Sequence, residues 1–407
     1  MGMSESGEVG GGAIGNRGKD PRRFPRSIGI LRVTVIVCSC LLATVALAAT
    51  SRSKSRPVTP ETEAGWITVN AETGEVLASQ HPDRPGAPAS MTKMMLALLV
   101  LEAIRDGQLN LADLVRASPL ASMMGGSQVF LKSGEAFPVE EMMAALLIGS
   151  ANDAAVALAE RLAGSVPGAL QRMNERAAAL GLSGTRFRSV HGLPPEPGQD
   201  GDVTTPRDMA RLSQELVKFP DILRWTSTQE APFRQGAFIL QNGNQLIGRF
   251  PGADGLKTGH IREAGYNLAA TAKRGTLRLI AVVMGAPSNR ARFAEAARLL
   301  EEGFSRYVQV TLVKAGQPVT PEIHLPRANG AFRPVPTDDL RIVVKREERE
   351  AVRTSVTVLP GLRAPVGKGQ PVGHLVARLG DREVARVPVV AGAEVGRTFF
   401  WWLTPWR

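Results

Sequence analysis

Residues 91–105, MTKMMLALLVLEAIR, constrain this chain more than any other stretch. From Met94 to Leu101 every residue is apolar. A helix there has no polar face to give to water and must be covered on all sides. Only a large enclosing domain can do that, and 407 residues suffice for one such domain and a second, smaller one. Against that background Lys93 is anomalous. It follows Ser90 by three residues, so the two side chains share one helix face. Burial disfavours an ammonium and lowers its pKa, and a neutral amine can take a serine proton. The alternative is a lysine whose stem crosses the apolar surface to reach water. The spacing alone does not decide, because Ser51-Arg52-Ser53-Lys54 repeats it in a polar stretch that no fold would bury.

The N-terminus reads as a leader. Residues 33–49, VTVIVCSCLLATVALAA, form an apolar run that ends in a small-x-small site at Ala46-Leu47-Ala48. A long basic segment precedes it, as in a secretory signal peptide, so residues 1–49 are expected to be removed on export. An uncleaved anchor helix is the alternative, at the lower limit of a membrane span. Both cysteines, Cys38 and Cys40, lie in that run, so a cleaved chain has no thiol for a disulfide, a thiolate metal site or a cysteine nucleophile. Five histidines, no two at metal-ligand spacing, predict no metal and no cofactor. The net charge of +11 suits anionic lipid or wall polymers. No nucleic-acid-binding pattern accompanies it, so no nucleic-acid partner is expected.

Residues 50–61 read as a linker. A hairpin follows, AGWITVN and GEVLASQ around Ala71-Glu72-Thr73-Gly74. Helices are predicted at 91–105, 139–148, 154–163 and 167–181, and after Thr205 as N-cap with Pro206 at N1. From residue 236 short strands alternate with turns, with a hairpin at Arg274-Gly275-Thr276. A last helix at 290–304 is expected to end at Gly303. The expectation for 62–305 is an α+β domain in which one antiparallel sheet, carrying packed helices, unites the two ends. Residues 306–397 are Val-, Gly- and Pro-rich and read as a small all-β domain. The tail 398–407, TFFWWLTPWR, suits either a core-capping strand or contact with a membrane interface.

Two further segments bring chemistry to Ser90 and Lys93. Gly149-Ser150-Ala151-Asn152-Asp153 interrupts a helical region. Ser and Asn there serve as caps, or as a proton relay and an amide for a peptide substrate. Asp254-Gly255-Leu256-Lys257-Thr258-Gly259-His260 places a cation, a hydroxyl and a glycine at one point of a strand. Lys and Thr suit a carboxylate, and the glycine allows close backbone approach. Lys132-Ser133-Gly134 is similar but stands out of order. His191 in SVHGLP raises a Ser-His alternative, which the lysine base makes redundant.

Each motif is weak singly; S-x-x-K, S-x-N and K-T-G in that order are specific. With PASMTK, GSANDAAVALAE, FRSVHGLP, DGLKTGH, AGYNLAATA and LLEEGF, the chain resembles the serine-type D-alanyl-D-alanine carboxypeptidases, the low-molecular-mass penicillin-binding proteins. The likeness spans most of 62–397 and implies a β-lactamase/transpeptidase-like fold. It implies a substrate, the peptidoglycan stem peptide ending in D-Ala-D-Ala, and β-lactams as covalent inhibitors. It implies action outside the cytoplasmic membrane, in the periplasm or facing the wall, with peripheral contact to the membrane's outer face as an option. By position it makes Ser90 the nucleophile, Lys93 the base and Ser150 the proton relay. Asn152 orients substrate, Lys257 and Thr258 meet the terminal carboxylate, and Arg292 lies nearby. The backbone N–H groups of Ser90 and of His260, just after Gly259, form the oxyanion hole. Asn70 stands where many relatives have Asp, and the tail is shorter than the family's anchoring helix. The alternatives are a β-lactamase, a DD-endopeptidase or a non-catalytic penicillin-binding scaffold. The chain lacks the glutamate element of class A β-lactamases, and its second β domain disfavours the endopeptidase.

Overall fold

The computed structural model describes residues 65–398. The expectations for the leader, the linker and the aromatic tail beyond Thr398 lie outside those residues. The first domain opens with β1 (Gly65–Asn70), β2 (Val76–Gln80), a 3₁₀ turn (Ala89–Thr92) and α1 (Lys93–Arg105). It continues with β3 (Leu114–Arg116), α2 (Pro119–Ser122), β4 (Ala136–Pro138), α3 (Val139–Leu147), α4 (Asn152–Ala163) and α5 (Val166–Ala179). Then come α6 (Pro206–Leu216), α7 (Pro220–Thr226), β5 (Glu230–Phe233) and β6 (Phe238–Gln241). It closes with β7 (Ala253–Ile261), β8 (Gly265–Arg274), β9 (Leu277–Ala286) and α8 (Asn289–Arg306).

One antiparallel sheet in the order β2-β1-β9-β8-β7 joins the two ends of this domain, as the α+β reading required. Its central strands are covered on both faces. Ala269, Ile280 and Val282 meet the helical core with Ile67 and Val69. Leu268, Ala270, Leu279, Ala281 and Val283 meet Phe293, Ala296, Leu299 and Leu300 of α8. Two-sided burial explains why LIAVVM reads as a continuous apolar run rather than an alternation. On the helical side α1 is enclosed by α3, α4, α5 and α6. Met94 through Leu98 are fully buried there, as an all-apolar helix demands.

Capping follows local chemistry. The Thr205 hydroxyl accepts the Asp208 N–H at 3.1 Å, with Pro206 first in α6. Asn70 closes the first hairpin through Oδ1, which accepts the N–H groups of Glu72 and Thr73, while its Nδ2 is buried without a partner. Helices α1, α3, α4 and α5 start or end within two residues of expectation, and the end of α8 differs by more. Helix α8 does not stop at Gly303 but runs to Arg306. The glycine is there because the helix crosses close over β9: a Cβ on it would lie 2.5 Å from Leu279 Cδ1.

Among the described residues the second domain consists of strands and connecting turns with one 3₁₀ turn, Arg346–Ala351. Its strands are β10 (Tyr307–Val313), β11 (Ile323–His324), β12 (Ala331–Phe332), β13 (Pro334–Pro336), β14 (Leu340–Lys345), β15 (Val352–Val358), β16 (Pro371–Leu379) and β17 (Arg382–Ala391). A four-stranded sheet β13-β17-β16-β15 and the β10–β14 pair enclose Leu340, Ile342, Val344, Leu375 and Val389. Arg341 reaches Glu72 of the first domain at 3.1 Å, and Tyr307 Oη donates to the Leu77 carbonyl. Among the described residues no helix is long and apolar enough to cross a membrane.

Candidate active site

The 3₁₀ turn presents Ser90 at the entrance to α1, and Ala89 before it is left-handed, with φ of +50°. Such a backbone is strained for a non-glycine residue and persists only where its surroundings hold it. Three contacts do so. Asn267, buried in β8, donates through Nδ2 to the Ala87 carbonyl at 2.8 Å and to Pro88 at 3.3 Å. Gly192 lies so close that a Cβ on it would sit 2.0 Å from the Ala89 carbonyl. Gly259 of β7 lies under the same turn, where a Cβ would be 2.4 Å from the Pro88 oxygen. The close approach expected at this glycine is therefore made by the chain's own backbone.

Lys93 is 0 % exposed. Its Nζ lies 3.0 Å from Ser90 Oγ, 2.7 Å from Asn152 Oδ1 and 2.8 Å from the His191 carbonyl. Among the described residues no carboxylate pairs with it. Burial pulls its pKa well below the usual value, and the charge of Lys257 pulls the same way, against the raising effect of Asp202 and Asp153. The Asn152 and His191 oxygens only accept, so a neutral amine donates to both and turns its lone pair to the Ser90 hydroxyl.

Ser150 and Asn152 come from the break between α3 and α4. Ser150 is left-handed, with φ of +57°. Lys257 Nζ donates to Ser150 Oγ at 2.9 Å and to the Thr258 carbonyl at 3.1 Å. Burial, then the charge of Arg292, lowers the Lys257 pKa to about 7. Asn152 spends both ends of its amide inside the protein, since Nδ2 donates to the Gly125 carbonyl at 2.7 Å. It holds the lysine and the neighbouring loop rather than pointing a free amide outward.

Arg292 is buried on α8. Its Nη1 donates to the Gly259 and Asn267 carbonyls at 3.0 and 3.1 Å, and its guanidinium lies over the Tyr266 ring. It braces β7 and β8 from behind. Desolvation lowers its pKa to about 10, and its charge adds to the positive potential behind Lys257. His260 is exposed and stacks on Tyr266, ring centroids 4.0 Å apart. The His191 ring stays with its own loop, where Nδ1 accepts the Leu193 N–H. Burial and Lys93 push its pKa down to about 4.

Two buried carboxylates escaped the sequence reading. Asp202 accepts the N–H groups of Arg188 and Ser189 and the hydroxyls of Ser189 and Thr92, tying the His191 loop to the start of α1. Asp153 accepts the N–H groups of Val129, Leu131 and Ala154, tying loop 125–131 to α4. Asp202 lies in a turn-rich stretch with no periodicity to mark it. Asp153 had one signal, an acid on the first turn of an otherwise apolar helix. Among the described residues no cluster of His, Cys, Asp and Glu could hold a metal ion.

Comparison with known proteins agrees with this geometry. Residues 51–288 match the D-alanyl-D-alanine carboxypeptidase family, and residues 307–397 match the penicillin-binding protein 5 C-terminal domain. The D-alanyl-D-alanine carboxypeptidase DacF of Bacillus subtilis is 37% identical over 82% of this chain and 86% of its own length. Penicillin-binding protein 5 of Haemophilus influenzae superposes with a TM-score of 0.71 at 28% identity, covering 82% of this chain and 97% of the other. Penicillin-binding protein D2 of Listeria monocytogenes, solved in its ampicillin-bound form, superposes with a TM-score of 0.54 at 34% identity over 59% of this chain and 96% of its own. With its serine set against a buried lysine and its second β domain, the chain belongs to the serine-type D-alanyl-D-alanine carboxypeptidases, the low-molecular-mass penicillin-binding proteins.

Proposed function

We propose that this carboxypeptidase removes the terminal D-alanine of the peptidoglycan stem peptide through an acyl-enzyme on Ser90, outside the cytoplasmic membrane. The observation that carries the reading is Lys93: fully buried, without a carboxylate partner among the described residues, and 3.0 Å from Ser90 Oγ. Neutral Lys93 takes the Ser90 proton as Oγ attacks the penultimate D-alanine carbonyl. The oxyanion forms against the backbone N–H groups of Ser90 and His260, a reading supported by the packing of Gly259 on the Pro88–Met91 turn. As the tetrahedral intermediate collapses, Ser150 Oγ hands its proton to the leaving nitrogen and takes up the one Lys93 received from Ser90, so that Lys93 is neutral again, while Lys257 donates to the Ser150 hydroxyl. The bound carboxylate falls to Lys257 and Thr258 and restores charge to the lysine. Water then attacks the ester with Lys93 again as base. A β-lactam follows the same course, but its leaving group stays tethered.

The 33–49 run supports export, and the aromatic tail supports peripheral membrane contact. The test is paired: release of D-alanine from a peptide ending in D-Ala-D-Ala, and covalent labelling by a fluorescent penicillin. Wild type is expected to do both and Ser90→Ala neither. Labelling that persists in Ser90→Ala refutes the nucleophile; labelling without release returns the scaffold reading.

A further inference from the structure

Loop 125–131 supports the Ser150–Asp153 turn from behind. Asn152 N–H donates to the Ser127 carbonyl at 2.7 Å, and the Asp153 carboxylate takes the Val129 and Leu131 N–H groups. The β5–β6 hairpin supports the same turn from another side. Leu240 of β6 lies so close to Gly149 that a Cβ there would be 2.9 Å from its Cδ2. Just beyond β6, a Cβ on Gly243 would sit 3.1 Å from Thr258 Oγ1. The hairpin thus touches the residue before Ser150 at one point and borders the K-T-G strand at the next.

One side chain fastens these two supports together. Arg234, at the hairpin tip, pairs with Glu135 at 2.7 Å and donates to the Val129 and Phe130 carbonyls at 3.3 and 3.2 Å. Its guanidinium also stands over the Phe137 and Phe233 rings. So the segment Val129–Leu131 is held by its N–H groups from Asp153 and by its carbonyls from Arg234. The joint is strained as well as bonded: Phe130, Arg234 and Gln235 are all left-handed, with φ of +57°, +53° and +54°. Three non-glycine residues in that conformation keep it only while the cross-links hold.

We propose that Arg234 is a positioning residue for the reaction, setting Ser150 and Asn152 against Lys257 and Lys93 without touching substrate. The inference rests on the roles given to Ser150 and Asn152 above. A loosened joint moves the relay hydroxyl and the lysine's acceptor while the central helix and the sheet stay packed. Lysine in its place keeps the ion pair but not the planar fork that reaches two carbonyls and a carboxylate together.

The experiment compares Arg234→Gln and Arg234→Lys with Arg176→Gln. Arg176 pairs with Glu102 at 2.6 Å near the far end of α1, about 14 Å along the helix from Lys93. D-alanine release is measured well below the melting temperature and expressed per penicillin-labelled site. Arg234→Gln is expected to lower kcat by about 10- to 100-fold with little change in KM, Arg234→Lys to recover part of the loss, and Arg176→Gln to leave kcat unchanged. The proposal is overturned by unchanged kcat in Arg234→Gln, or by an equal fall in Arg176→Gln, which would mark a general loss of stability. Should Arg234→Gln not fold, Glu135→Gln and Arg234→Lys are judged by the same criterion. A wild type that neither labels nor releases D-alanine sinks the underlying reading first, which separates the two failures.

Discussion

Replacing Lys257 by methionine is expected to stabilise the fold while abolishing D-alanine release. Burial and Arg292 lower the Lys257 pKa from 10.5 to about 7. At about 1.36 kcal/mol per pH unit, that fall of about 3.5 units means about 5 kcal/mol spent on keeping the charge folded. Below about pH 7 folded and unfolded chains both carry the proton, so the cost is fully present. Between about pH 7 and 10.5 the unfolded chain keeps a proton that the folded chain has released. Stability of the wild type therefore rises with pH through that window, and above it the cost is gone. Methionine has nearly the same volume and carries no charge. It leaves Ser150 Oγ and the Thr258 carbonyl without the lysine donor, at about 1–3 kcal/mol. The variant should thus be about 2–4 kcal/mol more stable than wild type near pH 6 and somewhat less stable near pH 10. Urea unfolding followed by tryptophan fluorescence across that range measures the difference, and D-alanine release is assayed beside it. A difference that does not change with pH, or a variant less stable near pH 6, refutes the claim that the lysine is held charged at a cost.

Two more substitutions probe the supports of the site. Asp202→Asn puts an amide where four donors converge, and urea unfolding should show a loss of about 2–3 kcal/mol. Asp202 raises the Lys93 pKa, so its loss also moves the acid limb of the pH–kcat profile to lower pH, where an unmoved limb would count against Lys93 as the base. Gly259→Ala sets a Cβ 2.4 Å from the Pro88 oxygen, pushing β7 off the nucleophile turn. Penicillin labelling should slow by about 100-fold or more in protein that still folds; wild-type labelling would show that the turn yields freely.

Much of the architecture was legible because its causes are local. The all-apolar run Met94–Leu101 had to be a central helix. Thr205-Pro206 marked the start of α6, and the turn at Gly275 marked the β8–β9 hairpin. Gly303 misled because a glycine near the end of a helical pattern signals both a stop and a close approach. Leu279, which explains it, lies on another element. Asp202 and Arg234 left no trace, since their partners are backbone groups that any sequence offers and side chains 13 to 110 residues away in the chain.

By itself the sequence determined that a serine and a lysine share one face at the mouth of a helix that water cannot reach. Apolar pattern and i, i+3 spacing are properties of neighbouring residues, and burial of that helix leaves little choice. Only the tertiary structure decided how the buried amine is satisfied. Its acceptors are Asn152 and the His191 carbonyl, 59 and 98 residues away, and Ser150 meets Lys257 across 107. A desolvated donor must find acceptors, but which ones it finds depends on how distant loops close over it. That closure sets the lysine pKa values, and with them the chemistry.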